Sequence, residues 1–146
     1  PKDNIKKIDM MDEVEDSIGV RPIETYIGDI NLFAILDNEE TLKSLNPNFS
    51  KLINLDGQGL IVSSQSNEYD FVSRYFCPKF GIDEDPVTGS AHTTLIPYWS
   101  DKLNSADMLA KQVSERGGVL HCKNQDTRVL IGGKAVLYMK GEIEVN

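Results

Sequence analysis

The stretch "DEDPVTGSAHTTLIPYWSDKL", residues 83–103, sets three acids, a turn and two small polar residues in front of an apolar, helix-like run. Gly89 and Ser90 fall where that helix should begin, so unpaired N–H groups and the positive end of the helix dipole point toward whatever precedes them. A carboxylate, a phosphate or an enolate suits such a position. The plainer alternative is that the hydroxyl of Thr88 or Ser90 caps the helix itself. Asp85 precedes Pro86, which keeps its backbone extended, so its carboxylate either serves a local turn or is aimed at the helix end as a proton shuttle. Asp83 and Glu84 are expected in solvent. His92, on the first turns, is expected as a neutral ring with a supporting role, because a helix N-terminus disfavours imidazolium.

The helix is expected from Ser90 to about Leu103, with Pro97 kinking it or ending its first segment. Tyr98 and Trp99 should pack it against a sheet. Upstream, "GLIVSSQ" (59–65) and "YDFVSRYF" (69–76) read as two strands joined by a hairpin. Further back, "TYIGDINLFAILD" (25–37) is rich in β-branched and aromatic residues, with Gly28 and Asp29 marking a hairpin turn or a bulge. Asp37 and Asn38 look like caps for a helix over 39–45, and a second short helix with Leu52 and Ile53 inward follows "NPN" at 46–48. The spacing of Ile5, Ile8, Met11 and Val14 predicts a helix over 4–17, stopped by Gly19.

Downstream, a helix is expected near 105–113, and "GVLHCKN", "TRVLIGG" and "KAVLYMKGEIEV" close the chain as strands. Strands and helices do not alternate as in a doubly wound sheet. The expected class is α+β, a curved mixed sheet wrapped around one central helix, in a single domain over residues 1–146.

The chain has 146 residues, 40% of them hydrophobic and 26% charged, the balance of a globular domain. No stretch approaches the ~20 apolar residues that cross a bilayer, so no membrane partner is expected. A formal net charge of −8 without a basic stripe argues against nucleic acid. Cys77 and Cys122 lack metal-site spacing and any signal peptide precedes neither, so reduced thiols and a cytoplasmic location are expected. His121 and Cys122 should point to opposite faces of a strand, which argues against a shared metal, and no metal is expected.

The residues "RYFCPKFGIDEDPVTGSAHTTLIPYW" (74–99), "QVSERGG" (112–118) and "VLIGGKAVLYMKGEIEV" (129–145) resemble the second half of the PhzF-like phenazine-biosynthesis isomerase family. That resemblance implies the diaminopimelate epimerase-like fold, two similar domains with the active site in the cleft between them, and no cofactor. It implies a small carboxylate substrate, a dihydro-3-hydroxyanthranilate in the phenazine-pathway member, held by helix N-termini while a proton moves between carbon atoms. Carried over by position, Asp85 matches the acidic site residue of the second domain, and Gly89 and Ser90 match the residues whose backbone binds the carboxylate. Thr88 stands where the related epimerases carry a catalytic Cys, and Thr88 and His92 are expected with Gly89 and Ser90 in the substrate-binding set.

The family's main general acid/base, a Glu, belongs to its N-terminal domain, and no segment of this chain matches that domain. The resemblance therefore implies a C-terminal domain that is inactive alone and is completed by the missing N-terminal domain, or else pairs with a second copy. The alternative function is a non-enzymatic half domain that binds small carboxylates or self-associates. For Arg116, Gly117 and Gly118, a turn that uses glycine's backbone freedom is preferred over a substrate contact.

Overall fold

Eight strands follow one another across a single mixed sheet in chain order, so each pairs with its sequence neighbours. They are β1 (Lys6–Ile8), β2 (Glu24–Ile27), β3 (Leu32–Ile35), β4 (Leu60–Gln65), β5 (Phe71–Phe76), β6 (Asp107–Gln112), β7 (Gly118–Gln125) and β8 (Arg128–Gly132). Among the described residues four α-helices accompany them, α1 (Met11–Ile18), α2 (Glu39–Ser44), α3 (Phe49–Leu52) and α4 (Ala91–Leu103), with a short 3-10 helix at Pro78–Phe80. The computed structural model describes residues 1–145. Pairs β3–β4 and β5–β6 are parallel, each needing a crossover; the other five are antiparallel.

Side-chain alternation divides the core. In β3, Phe33 and Ile35 face α4, while Leu32 and Ala34 face the layer built by α1, α2 and α3, so this strand is buried on both sides. Tyr98 and Trp99 lie in the α4 layer with Phe33, Phe71, Leu95 and Leu120, as expected of them. The sheet curls around α4 until its ends approach, and the Lys2 N–H donates to the Thr127 carbonyl at 3.2 Å across the gap.

α4 runs through Pro97 without interruption. Proline at that position leaves the Thr93 carbonyl, four residues back, without its helical donor. The chain start supplies one: the Asp3 N–H donates to Thr93 O at 3.1 Å, and Asp3 Oδ2 accepts from the Thr94 hydroxyl at 2.5 Å. The helix does not end at Pro97, and the orphaned acceptor is satisfied by the chain start, which lies outside any strand.

Several expectations require correction. The helix expected over 4–17 is β1 followed by the shorter α1: Ile8 pairs with Thr25, whose hydroxyl donates to the Ile8 carbonyl at 2.7 Å and accepts from the Met10 N–H at 3.2 Å. Gly19 does stop α1, in the left-handed conformation at φ 77°. Residues 25–37 form a hairpin turning at Gly28, and Asn38 alone caps α2, accepting from the Thr41 N–H at 2.8 Å. Ile53 points to solvent, not inward. The helix expected near 105–113 is strand β6, with Met108, Ala110 and Gln112 inward, held by β5 on one side and β7 on the other. Residues 134–145 form no strand; they follow the edge strand β8 and pair with none of the described residues as a strand, and Val136, Leu137, Tyr138 and Met139 are exposed.

Candidate active site at the start of helix α4

The loop between β5 and α4 is pinned at nearly every residue. Its first part extends the sheet: the Cys77 N–H donates to Asp83 O at 3.1 Å and the Asp85 N–H to Tyr75 O at 3.0 Å, with Glu84 bridged to Phe76. Glu84 is not solvated as expected. Its carboxylate takes both prongs of the Arg74 guanidinium at 2.8 Å, a half-buried bidentate pair, and Arg74 also reaches the Leu45 carbonyl at 2.9 Å.

The second part is held by β6. Gln112, only 1% exposed, accepts from the Thr88 N–H at 2.8 Å and donates to the Asp85 carbonyl at 2.7 Å and to Thr88 Oγ1 at 3.2 Å. The Ser114 hydroxyl donates to Pro86 O at 2.7 Å. Gly117 turns the chain at φ 64°, and a Cβ on Gly118 would meet the Val87 side chain at 2.6 Å, so both glycines serve the loop backbone while Arg116 stays exposed. Gln112 was missed from the sequence, although it lies in the quoted "QVSERGG", because 105–113 reads as a helix whose Gln would not face this loop.

This scaffold presents a small set of groups. The Thr88 hydroxyl donates to Asp85 Oδ2 at 2.5 Å, leaving Asp85 Oδ1 with no donor among the described residues. The N–H groups of Gly89 and Ser90, at the positive end of α4, likewise donate to no acceptor among the described residues. Ser90 does not cap the helix with its side chain. Asp85, Thr88 and Ser90 line one cleft of about 280 Å³, together with Asn31, Tyr75 and Cys77. Gly89 lies on the wall of a larger neighbouring cavity of about 860 Å³ behind the loop, bounded by Gly118, Leu120 and Ile131.

The structure places His92, expected among the substrate-binding residues, wholly buried and outside the lining of either cavity, with its ring bonded to the loop. Its Nδ1 meets the Thr88 carbonyl at 2.8 Å, and since a carbonyl only accepts, that nitrogen carries the proton. Burial pushes its pKa down, the hydrogen bond to Thr88 opposing this, and a neutral ring results. Cys77 and Tyr75 face the cleft as acids rather than bases. Burial, aided by the Asp85 charge, raises the Cys77 thiol, and burial with the Cys77 and Asp85 charges pushes Tyr75 up to about 12. Cys122 is buried on the opposite side from His121. Among the described residues no three His, Cys, Asp or Glu side chains gather as a metal site, and no helix is long and apolar enough to cross a membrane.

The fold and loop define a class: an α+β half domain, a curled mixed sheet around one helix whose N-terminus borders a cleft holding Asp85. The chain belongs to the phenazine biosynthesis-like (PhzC-PhzF) protein family, whose profile matches residues 5–141. An uncharacterized isomerase of Halalkalibacterium halodurans is 47% identical over 133 residues, covering 90% of this chain and 50% of that protein. A second uncharacterized isomerase, from Pseudomonas aeruginosa, is 42% identical over 134 residues, covering 92% and 51%. The crystal structure of a PhzF-family phenazine biosynthesis protein from Enterococcus faecalis superposes with a TM-score of 0.87 at 47% identity, over 96% of this chain and 54% of that one. A putative PhzC/PhzF protein from Clostridium difficile gives 0.83 at 40% identity, over 98% and 57%. The chain thus spans about half the length of the relatives it matches.

Proposed function

We propose that residues 1–146 are the C-terminal domain of a cofactor-independent PhzF-like isomerase or epimerase that moves a proton on a small carboxylate substrate. The observation that carries this reading is the pairing of unused Gly89 and Ser90 N–H groups with an Asp85 carboxylate that keeps one oxygen free. The helix end would bind the substrate carboxylate and stabilise the negative charge that grows on it when an adjacent C–H proton leaves. Asp85 would take or return the proton on its side, with Thr88 and Gln112 fixing its other oxygen. Tyr75 and Cys77, held protonated, do not compete as bases.

A proton that leaves one carbon and returns to another needs acid/base groups on more than one side, and a cleft open to water weakens both. The second group would come from the complementary half that relatives of twice this length contain. The exposed apolar segment around Val136, Leu137 and Tyr138 favours a second reading, a half domain that binds carboxylates and self-associates without catalysis.

Solvent-deuterium incorporation separates the two. Joined to the complementary half of the Halalkalibacterium halodurans relative, the chain is expected to exchange substrate C–H protons in a carboxylate panel headed by dihydro-3-hydroxyanthranilate. The chain alone is expected to exchange none. A folded, complete protein that binds these acids without exchange would favour the second reading.

A further inference from the structure

Asn31 stands in the wall of the cleft that also contains Asp85, Thr88 and Ser90, contributed by the turn between β2 and β3. It is only 3% exposed, yet half of its amide is unused. Oδ1 accepts from the Tyr75 hydroxyl at 2.9 Å, and Tyr75, pushed up to about 12, remains a donor at any physiological pH. With Oδ1 on the Tyr75 hydroxyl, Nδ2 carries two N–H donors that meet no acceptor among the described residues. Nδ2 is not one of the sealed side-chain atoms without a partner, which are Ser64 Oγ, Ser73 Oγ, His92 Nε2 and Asn124 Oδ1; it opens to the cleft.

Keeping an amide there without a partner has a cost, and the surrounding backbone is built to hold it. The Gly28 N–H donates to Asn31 O at 2.9 Å, and the Gln58 N–H donates to Ile30 O at 2.8 Å. Gly57 sits at φ +76°, and a Cβ there would lie 2.8 Å from the Leu32 backbone nitrogen, so the 57–59 loop presses directly on this turn. On Gly59 a Cβ would strike the Tyr75 hydroxyl at 2.6 Å and its ring at 2.7 Å. Two glycines thus allow a loop to clamp the Asn31–Tyr75 pair at the cleft wall. Exposed Ile30, Phe80 and Ile82 form an apolar rim beside it.

We infer that Asn31 is a specificity residue whose Nδ2 donates to a second acceptor oxygen of the substrate, a carbonyl or a further carboxylate. The ligand class is a small acid with an apolar framework, its carboxylate at the start of α4 and its second oxygen at Asn31. This rests on the carboxylate reading of the same cleft and adds a requirement that reading lacks. A buried donor left unpaired by a substrate without that oxygen discriminates against it, and one neutral hydrogen bond accounts for roughly 2- to 13-fold in affinity.

The test titrates the ¹⁵N-labelled chain with benzoate, 3-acetylbenzoate and 4-acetylbenzoate, reading the backbone amides of Gly89 and Ser90 and the side-chain amide of Asn31. At least one acetylbenzoate is expected to bind about 3- to 10-fold more tightly than benzoate and to shift the Asn31 side-chain resonances, which benzoate leaves in place. Asn31→Asp keeps an acceptor for Tyr75 but has no donor, so the ratio of acetylbenzoate to benzoate affinity should fall to one or below. The wild-type side-chain shift requires no variant to fold. Equal affinities with a silent Asn31, while Gly89 and Ser90 respond, would overturn this inference and leave the carboxylate reading intact. Silence at Gly89 and Ser90 with all three acids would overturn both.

Discussion

Replacing Asp85 with Asn is expected to lower solvent-deuterium incorporation by about 10²- to 10⁴-fold in the protein completed by its other half, the usual worth of a positioned acid/base group. Asn keeps an oxygen able to accept from the Thr88 hydroxyl, and Gln112 holds the position through backbone and Thr88 contacts, so the loop should stay in place. Binding of a non-reacting acid such as benzoate should therefore change much less than the exchange rate. The comparison isolates proton transfer from carboxylate capture. Equal losses of binding and exchange would instead make Asp85 a structural part of the loop.

The second large effect concerns the sheet beneath the site. Trp99 is 5% exposed, stacks on Phe71 with centroids 5.7 Å apart and planes 7° from parallel, and donates from its indole to Ser63 Oγ at 2.9 Å. Trp99→Ala should cost about 3–5 kcal/mol, combining lost apolar contact with an unfilled cavity. Urea unfolding followed by circular dichroism gives the number. Fluorescence cannot, because Trp99 is the single tryptophan of the chain. Against a typical stability of about 5–15 kcal/mol, such a loss brings the domain close to unfolding. A change below about 1 kcal/mol would mean that α4 is held chiefly elsewhere.

What could be read from the sequence was local chemistry. The turn, the small residues and the apolar run of 83–103 announce a helix start and stop within one segment, and α4 with its open N-terminus lies there. Gly19, Asn38 and the hairpin at Gly28 were legible for the same reason. Where pairing is distant, the reading failed. "SADMLAKQV" has good helix formers and becomes β6 because β5 and β7 flank it, a tertiary preference that overrides propensity. Pro97 did not break α4 because Asp3, far earlier in the chain, supplies the missing donor.

The same holds for the site. Asp85, Thr88, Gly89 and Ser90 are close in sequence and form one motif. Gln112 reaches Thr88 across 24 residues and Asn31 reaches Tyr75 across 44, and a polar residue on a strand or in a turn gives no sign of a partner so distant in sequence. The place of His92 on the helix was legible, but not the direction of its ring, which turns into the core against Phe71.

The central claim is that the start of α4 holds a carboxylate beside Asp85, and the backbone amides of Gly89 and Ser90 test it most directly. Titrating the ¹⁵N-labelled chain with benzoate, and separately with the neutral isostere benzamide, is expected to shift both amides with the anion and neither with the amide. Shifts of equal size with both compounds, or no response to benzoate while amides elsewhere move, would contradict the account.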